Sequence, residues 1–296
     1  MGIRHLNRYL LKNCGKQAIH KINLSEIKNK TIVVDTSILI YKYLEENKLF
    51  ENFQKLITIL ESYKIKAIFV FDGKAPLEKK QLLEERQEKK REAKRKYEEL
   101  ILTSEEYKGI AYEKEINNLR KQFIRVCDDD LDKLKVLMKD NNVDMVVADG
   151  EADELCARFV KSNSCWGVLS DDMDFFVYGC NRILRELSLQ DNTVMLYILP
   201  EILYDLKMPL KSFRDILVIS GTDYNLIDKN ENINLYETLK WYKWYRVYNT
   251  KHRTTYQHKL PMSFYEWLLA NTKYVKNYDN LLKISRIFNI DNSLPT

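Results

Sequence analysis

Four short apolar runs in this chain each finish on an acidic residue. They are TIVVD (31–35), AIFVFD (67–72), MVVADGEAD (145–153) and GVLSDDMD (167–174). Short apolar runs of this kind read as strands covered on both faces, the pattern of a parallel sheet. In an open α/β sheet the reactive groups gather beyond the carboxyl ends of the strands. A fifth run, LVISGTD (217–223), reads as a helix end and a turn, and it too closes on an acid. The expected fold is α/β, a mostly parallel sheet flanked by helices. Acids far apart in sequence would then meet in one crevice.

Seven carboxylates form this set: Asp35, Asp72, Glu151, Asp153, Asp172, Asp174 and Asp223. Taken singly, a strand-end Asp is more often a helix N-cap than a ligand. An acid opening a helix, as Glu151 and Asp153 do, also suits the positive helix end. Five clusters in the same context are hard to explain as caps alone. So many carboxylates in one crevice repel unless cations bind, and an all-oxygen set suits hard ions such as Mg²⁺ or Mn²⁺. Asp149, Glu154 and Asp171 are adjacent, but side-chain direction turns them away from the shared face.

The rest of the chain predicts helices over 3–12, 37–46, 50–63, 129–139 and 151–160, and strands over 143–148, 165–170, 182–187 and 193–198. Residues 23–29 read as a polar linker, and the chain is mostly helical from Leu199 onward. Residues 77–123 are dense in Lys, Arg and Glu, the composition of solvated helices. From Lys74 to Lys96 there are ten basic residues against five acidic. Five cysteines with no CxxC argue against a disulfide framework or a zinc site. No apolar run is long enough to span a bilayer, and the N-terminus has no apolar signal core. The expectation is therefore no membrane, no signal peptide and an intracellular place of action. The Lys-, Asn-, Ile- and Tyr-rich composition suggests an AT-rich genome, that of a large DNA virus or a parasite; the expected place is the nucleus or, for a viral protein, the host cytoplasm or virus factory.

The order of the acids resembles that of the flap endonuclease/XPG (Rad2) superfamily of structure-specific 5′ nucleases. VVDTSILIY (33–41) is similar to its first acid motif and VFDGKAP (70–76) to its second. GEADELCA (150–157), LSDDMDFFVYG (169–179) and SGTDYN (220–225) are similar to the third, fourth and fifth. The resemblance spans residues 1–224, about three quarters of the chain. It implies a PIN-like nuclease domain over 1–224, with a helical arch at about 77–123, and a divergent helical DNA-binding region over 225–296.

By that resemblance the seven acids hold two Mg²⁺ ions, for which Mn²⁺ substitutes. Glu151, Asp153, Asp172 and Asp174 would be the nearest ligands, with Asp35 and Asp72 near one ion and Asp223 near the other. Lys79 and Arg86, seven residues apart, would contact the scissile phosphate, and Lys90 and Lys94 would continue their side of the arch helix. Tyr41 resembles the aromatic that stacks on the base beside the cut, although a buried helix tyrosine fits its position equally. Gly2 matches the small N-terminal residue near the metals.

The implied substrate is DNA with a 5′ flap, a branch or a free 5′ end. A 5′–3′ exonuclease on duplex DNA or RNA is an open alternative, and so is a junction-binding protein without catalysis. The pattern breaks after Tyr224. Family members carry a Gly-Ile-Gly hairpin there that grips duplex phosphates through K⁺, and this chain has no glycine beyond Gly221. That puts the K⁺ site in question. Lys240, Lys243, Arg246, Lys251, Arg253 and Lys259 lie among aromatics in that stretch, a composition suited to phosphate contact and stacking. Trp241, Trp244 and Tyr248 could equally form a packed helix face. No sliding-clamp motif is visible.

Overall fold

The computed structural model describes residues 3–74, 79–103, 109–224, 233–255, 262–275 and 277–291. The chain opens with α1 (Leu6–Asn13) and β1 (Ile19–Asn23), followed by a short 3₁₀ turn (Leu24–Ile27). Then come β2 (Thr31–Asp35), α2 (Thr36–Glu45), α3 (Leu49–Ser62) and β3 (Lys66–Phe71). A helical excursion follows, α4 (Lys80–Thr103) and α5 (Ile110–Gln122), and then α6 (Asp128–Asp140). The α/β pattern resumes with β4 (Asp144–Val147), α7 (Ala152–Lys161), β5 (Gly167–Leu169), α8 (Asp174–Tyr178), β6 (Arg182–Ser188) and β7 (Thr193–Ile198). The chain continues as α9 (Leu199–Asp205), α10 (Leu210–Ser220), α11 (Leu235–Thr255), α12 (Phe264–Asn271) and α13 (Tyr278–Ile287).

The seven strands form one sheet in the order β1-β7-β6-β5-β2-β3-β4. β6, β5, β2, β3 and β4 are parallel neighbours, while β7 pairs antiparallel with β6 and with β1. From β2 the chain steps outward to β3 and β4, then returns to place β5 on the other side of β2. The order therefore reverses between β2 and β5, which is where such sheets open a crevice at their carboxyl ends.

Strand side chains alternate between two buried layers, as the period of two requires. Val33, Val70, Val168 and Ile183 face a core built with α1, α7, α8, α10 and the last two helices. Ile32, Val34, Phe69, Phe71, Leu169 and Leu184 face a second core built with α2, α3 and α6. Both faces of the central strands are covered, so each is an unbroken apolar run.

Several elements differ from the sequence expectation: residues 23–29, read as a polar linker, include the 3₁₀ turn with Leu24 and Ile27 buried, and Asp174 opens the short helix α8. β1 was hidden in IHKIN, where only Ile19 and Ile22 are buried. An edge strand needs few apolar residues, and its partner β7 is the last strand of the sheet in sequence. β4 forms as expected but is exposed at all four positions, because β3 alone pairs with it.

Candidate active site

Asp35 ends β2 and occupies the N-cap of α2. It is 2% exposed, and its Oδ2 accepts a 2.8 Å hydrogen bond from Ser170 Oγ. The same hydroxyl accepts from the Asp172 amide at 3.1 Å. Ser170, just beyond β5, thus ties the acids of two neighbouring strand ends together across the point where the sheet order reverses. Asp172 Oδ1 in turn accepts the Asp174 amide at 3.0 Å.

Asp72 follows β3. Its two oxygens accept from Ser37 Oγ at 2.5 Å and from the Ala152 amide, at the start of α7, at 2.8 Å. Glu151 is the N-cap residue of α7, but its side chain does not cap the helix. Its Oε2 instead receives Lys79 Nζ at 2.7 Å and the Tyr224 hydroxyl at 2.7 Å. Arg86 Nη2 meets Asp223 Oδ2 at 2.7 Å.

Gly73 lets the β3 and β4 ends close up. Its amide donates to Gly150 O at 2.7 Å, and a side-chain carbon there would stand 1.9 Å from Ala148 O. Beside these acids a cavity of about 180 Å³ is lined by Ser37, Tyr41, Phe71, Asp72, Leu131 and Lys135.

Crowding and burial of the carboxylates set their electrostatics. Burial lifts Asp35 from 3.8 to about 7, with Asp72 and Asp172 adding and the Ser170 hydroxyl and Ile38 amide opposing. Burial also raises Asp153 strongly, and Asp35 and Asp172 push it further. Asp174 is raised in the same way by burial and then by Asp172 and Asp223. Asp172 is raised by burial against the opposing hydrogen bond from the Asp174 amide, with Asp223 adding. Burial disfavours the Lys79 ammonium, but Glu151, Asp153 and Asp223 outweigh it and raise that group overall.

Among the described residues, no three His, Cys, Asp or Glu side chains are drawn tightly enough to ligate one ion as they stand. Two of the seven acids instead hold a cation of the chain. The donor set nevertheless suits hard divalent ions, since every candidate is a carboxylate. Asp174 Oδ1 is buried without a hydrogen-bond partner, an acceptor that a cation would satisfy.

Helices α4 and α5 pack side by side, with Tyr97 and Phe123 in edge contact at 5.2 Å and Tyr112 Oη donating to Leu100 O at 3.3 Å. Lys79 precedes α4 and is buried beneath Tyr224, 4.4 Å from the ring centre. On α4 the inward positions are Arg86, Lys90, Ala93 and Tyr97. Lys90 Nζ donates to Ile124 O at 3.1 Å and lies 5.1 Å above the Tyr41 ring. Lys94 does not continue that side. Eight residues beyond Arg86 is about 80° past two full turns, and Lys94 points outward to Glu98 at 3.7 Å. Tyr41 is 39% exposed, which leaves its ring accessible beside Asp72. Gly2, residues 225–232 after the fifth motif, and Lys259 lie outside the described residues, as do the side chains of Lys251 and Arg253.

The XPG N-terminal domain model matches residues 1–93, and the XPG I-region model matches residues 142–223. The chain belongs to the XPG/flap endonuclease superfamily. The two matches take in all seven acids, and the stretch between them holds the rest of α4, α5 and α6. Flap endonuclease 1 of Glycine max is 30% identical over 244 residues, which is 76% of this chain and 62% of that protein. The chain thus spans about three fifths of the length of the first flap endonucleases it matches.

The catalytic core of Rad2, solved with a DNA substrate, superposes with a TM-score of 0.66 at 19% identity, covering 99% of this chain and 89% of that one. Flap endonuclease-1 from Methanococcus jannaschii gives 0.58 at 20% identity, covering 97% and 98%. Both share the XPG fold seen here. Divalent-metal dependence is typical of the superfamily.

Three side chains at the site were not singled out from the sequence: Ser37, Ser170 and Tyr224. Each lies within two residues of a motif acid. That proximity was the available signal, because a buried carboxylate needs donors from its immediate surroundings. Glu154 and Asp171 are engaged elsewhere, Glu154 with Arg158 at 2.7 Å and Asp171 with the Glu186 amide at 2.7 Å.

Proposed function

We propose that this chain is a divalent-cation-dependent 5′ nuclease that hydrolyses phosphodiester bonds at flaps or branches in DNA. One observation carries the reading. Two basic side chains from the foot of the arch, Lys79 and Arg86, enter a nest of seven acids and meet two of them at 2.7 Å. Carboxylates alone would repel a phosphodiester. Cations at the same spot, Lys79 buried and Arg86 half-buried, give the transferring phosphate donors already in place.

Glu151, Asp153, Asp172 and Asp174 would hold the ions, flanked by Asp35 and Asp72 on one side and Asp223 on the other. Mg²⁺ is the expected cofactor and Mn²⁺ a substitute. When bound, such ions supply an activated water and neutralise the phosphate and the departing oxygen. Ser170 fixes the direction of Asp35 and holds the Asp172 backbone, the Asp174 amide fixes the Asp172 carboxylate, and Ser37 that of Asp72. Lys79 and Arg86 donate to non-bridging phosphate oxygens. Tyr41, with Lys90 above its ring, offers an aromatic surface to the base beside the cut. On this reading residues 1–224 form the nuclease domain and 225–296 a DNA-binding region.

The Rad2 core in its DNA complex and the flap endonuclease relatives support DNA as the substrate. The test is cleavage of end-labelled 5′-flap, nicked, blunt and RNA-containing substrates with Mg²⁺ and with EDTA. Flap cleavage that needs Mg²⁺ and is lost in Asp172→Ala is the expected result. Processive release of mononucleotides from blunt ends would turn the reading to an exonuclease. Binding without cleavage of any substrate would overturn it.

A further inference from the structure

Helix α11 turns two faces to different surroundings. Its inner face is locked into the C-terminal helices. Trp241 lies 6.4 Å from Trp267 and 6.1 Å from Tyr274, and Tyr242 and Tyr245 both contact Phe264. The Thr238 hydroxyl meets Tyr274 Oη at 2.9 Å. At its start, the Asn234 side chain accepts the amides of Tyr236 and Glu237, and the Tyr236 ring reaches His5 and Tyr9 near α1. The aromatic stretch thus packs through Trp241 and Tyr248, but Trp244 does not join them.

The outer arc carries Lys240, Lys243, Trp244, Arg246 and Val247, all exposed. Trp244 is 62% exposed and Val247 54%. Lys240 and Val247 sit four before and three after Trp244, so the three adjoin on the helix surface. Glu237, at the edge of the arc, lies 3.5 Å from Lys240. Among the described residues no carboxylate pairs with Lys243 or Arg246. A large aromatic held in water on a rigid helix, ringed by cations, suits a ligand with both a π-face and phosphates. A second copy of this chain fits poorly, because a twofold contact would set these cations against their own copies.

We propose that the outer face of α11 is a stacking platform for an unpaired base of a nucleic-acid single strand, centred on Trp244. Lys240, Lys243 and Arg246 hold the flanking phosphates. This rests on the reading that the chain handles branched DNA, and it assigns the unpaired strand a contact outside the acid nest. A duplex offers only its backbone to this face, since its bases are stacked on one another.

The test is fluorescence anisotropy of the full chain in EDTA with labelled oligo-dT and with a blunt duplex, over a series of matched salt concentrations. Trp244→Ala should weaken oligo-dT binding roughly tenfold and change duplex binding less than twofold. Trp244→Phe should restore most of the loss, and Lys243→Glu should weaken binding and flatten its salt dependence. Melting curves show whether each variant keeps its fold. Oligo-dT binding that is the same in Trp244→Ala and the wild type would overturn the proposal, as would an equal loss on duplex. So would a wild-type dimer in sedimentation that Trp244→Ala dissolves. Because no cleavage is read, a failed nuclease assignment leaves this result interpretable.

Discussion

Lys79 Nζ lies 2.7 Å from Glu151 Oε2, and only 5% of the lysine is exposed. A divalent ion drawing on Glu151 must compete with that ammonium. Replacing Lys79 by Met removes the competitor along with a phosphate donor. Mn²⁺ affinity, measured by titration calorimetry on chelator-stripped protein, should rise several-fold. Flap cleavage at saturating metal should fall by about 10²–10³, the usual cost of losing one donor to transition-state charge. A variant that binds Mn²⁺ no more tightly than the wild type would dispose of the competition.

Asp174 offers a second separation of charge from chemistry. It is 2% exposed, with Oδ1 unpartnered. Asp174→Asn keeps the shape and removes the charge. Cleavage should drop below detection, while flap binding in EDTA stays within about twofold, because the phosphate contacts are elsewhere. The metal-free protein should also melt at a higher temperature, since a buried charge among like charges has gone. Residual cleavage close to the wild-type rate would exclude Asp174 from the reacting centre.

The same repulsion makes stability depend on pH. Asp35 titrates at about 7 in the folded chain and at 3.8 when free, chiefly because it is buried. Between those values the native state holds a proton that the unfolded state has lost. Its contribution to stability is therefore full below pH 4 and disappears as pH rises towards 7. In EDTA the wild type should lose on the order of 4 kcal/mol across that window. Asp35→Asn should flatten the fall, matching the wild type at pH 4 and exceeding it at pH 8. Denaturant melts at four pH values decide this, and parallel wild-type and variant curves would refute it.

Most of the sheet and all seven acids were legible in the sequence, because both report the same local pattern. A strand covered on both faces must be apolar throughout, and an acid at its end stands out. β1 was not legible, because its burden falls on two residues and its partner is far along the chain. The inward side of α4 was read one residue off: Lys94 is charged like Lys90, and charge alone does not say which way a helix is turned. Ala93, buried between them in sequence, marks the true face. Ser170 and Tyr224 were missed because their roles exist only once Asp35 and Glu151 are buried beside them. The XPG family pattern supplied the expectation for Lys79 and Arg86, which composition would have assigned to a solvated helix.

Gly73 joins fold to site. Its amide and that of Lys74 donate to Gly150 O and Asp149 O, at 2.7 and 3.3 Å, pinning the β3 end to the loop that opens α7. Asp72, one residue earlier, accepts the Ala152 amide at the head of the same helix. A methyl at Gly73 would meet backbone on every near side, with Ala148 O at 1.9 Å and Asp149 O at 2.9 Å. Backbone cannot step aside as a side chain can, so the loop must move and take Glu151 and Asp153 with it. Gly73→Ala should cost about 2 kcal/mol or more in urea unfolding. Flap cleavage should fall about a hundredfold, out of proportion to the fraction unfolded, because an ångström of displacement at a reacting centre is costly. Mn²⁺ affinity should weaken as well. If Gly73→Ala were destabilised but cleaved and bound Mn²⁺ normally, the β3–α7 junction would be a matter of packing alone, and the acids of α7 would owe their positions to something else.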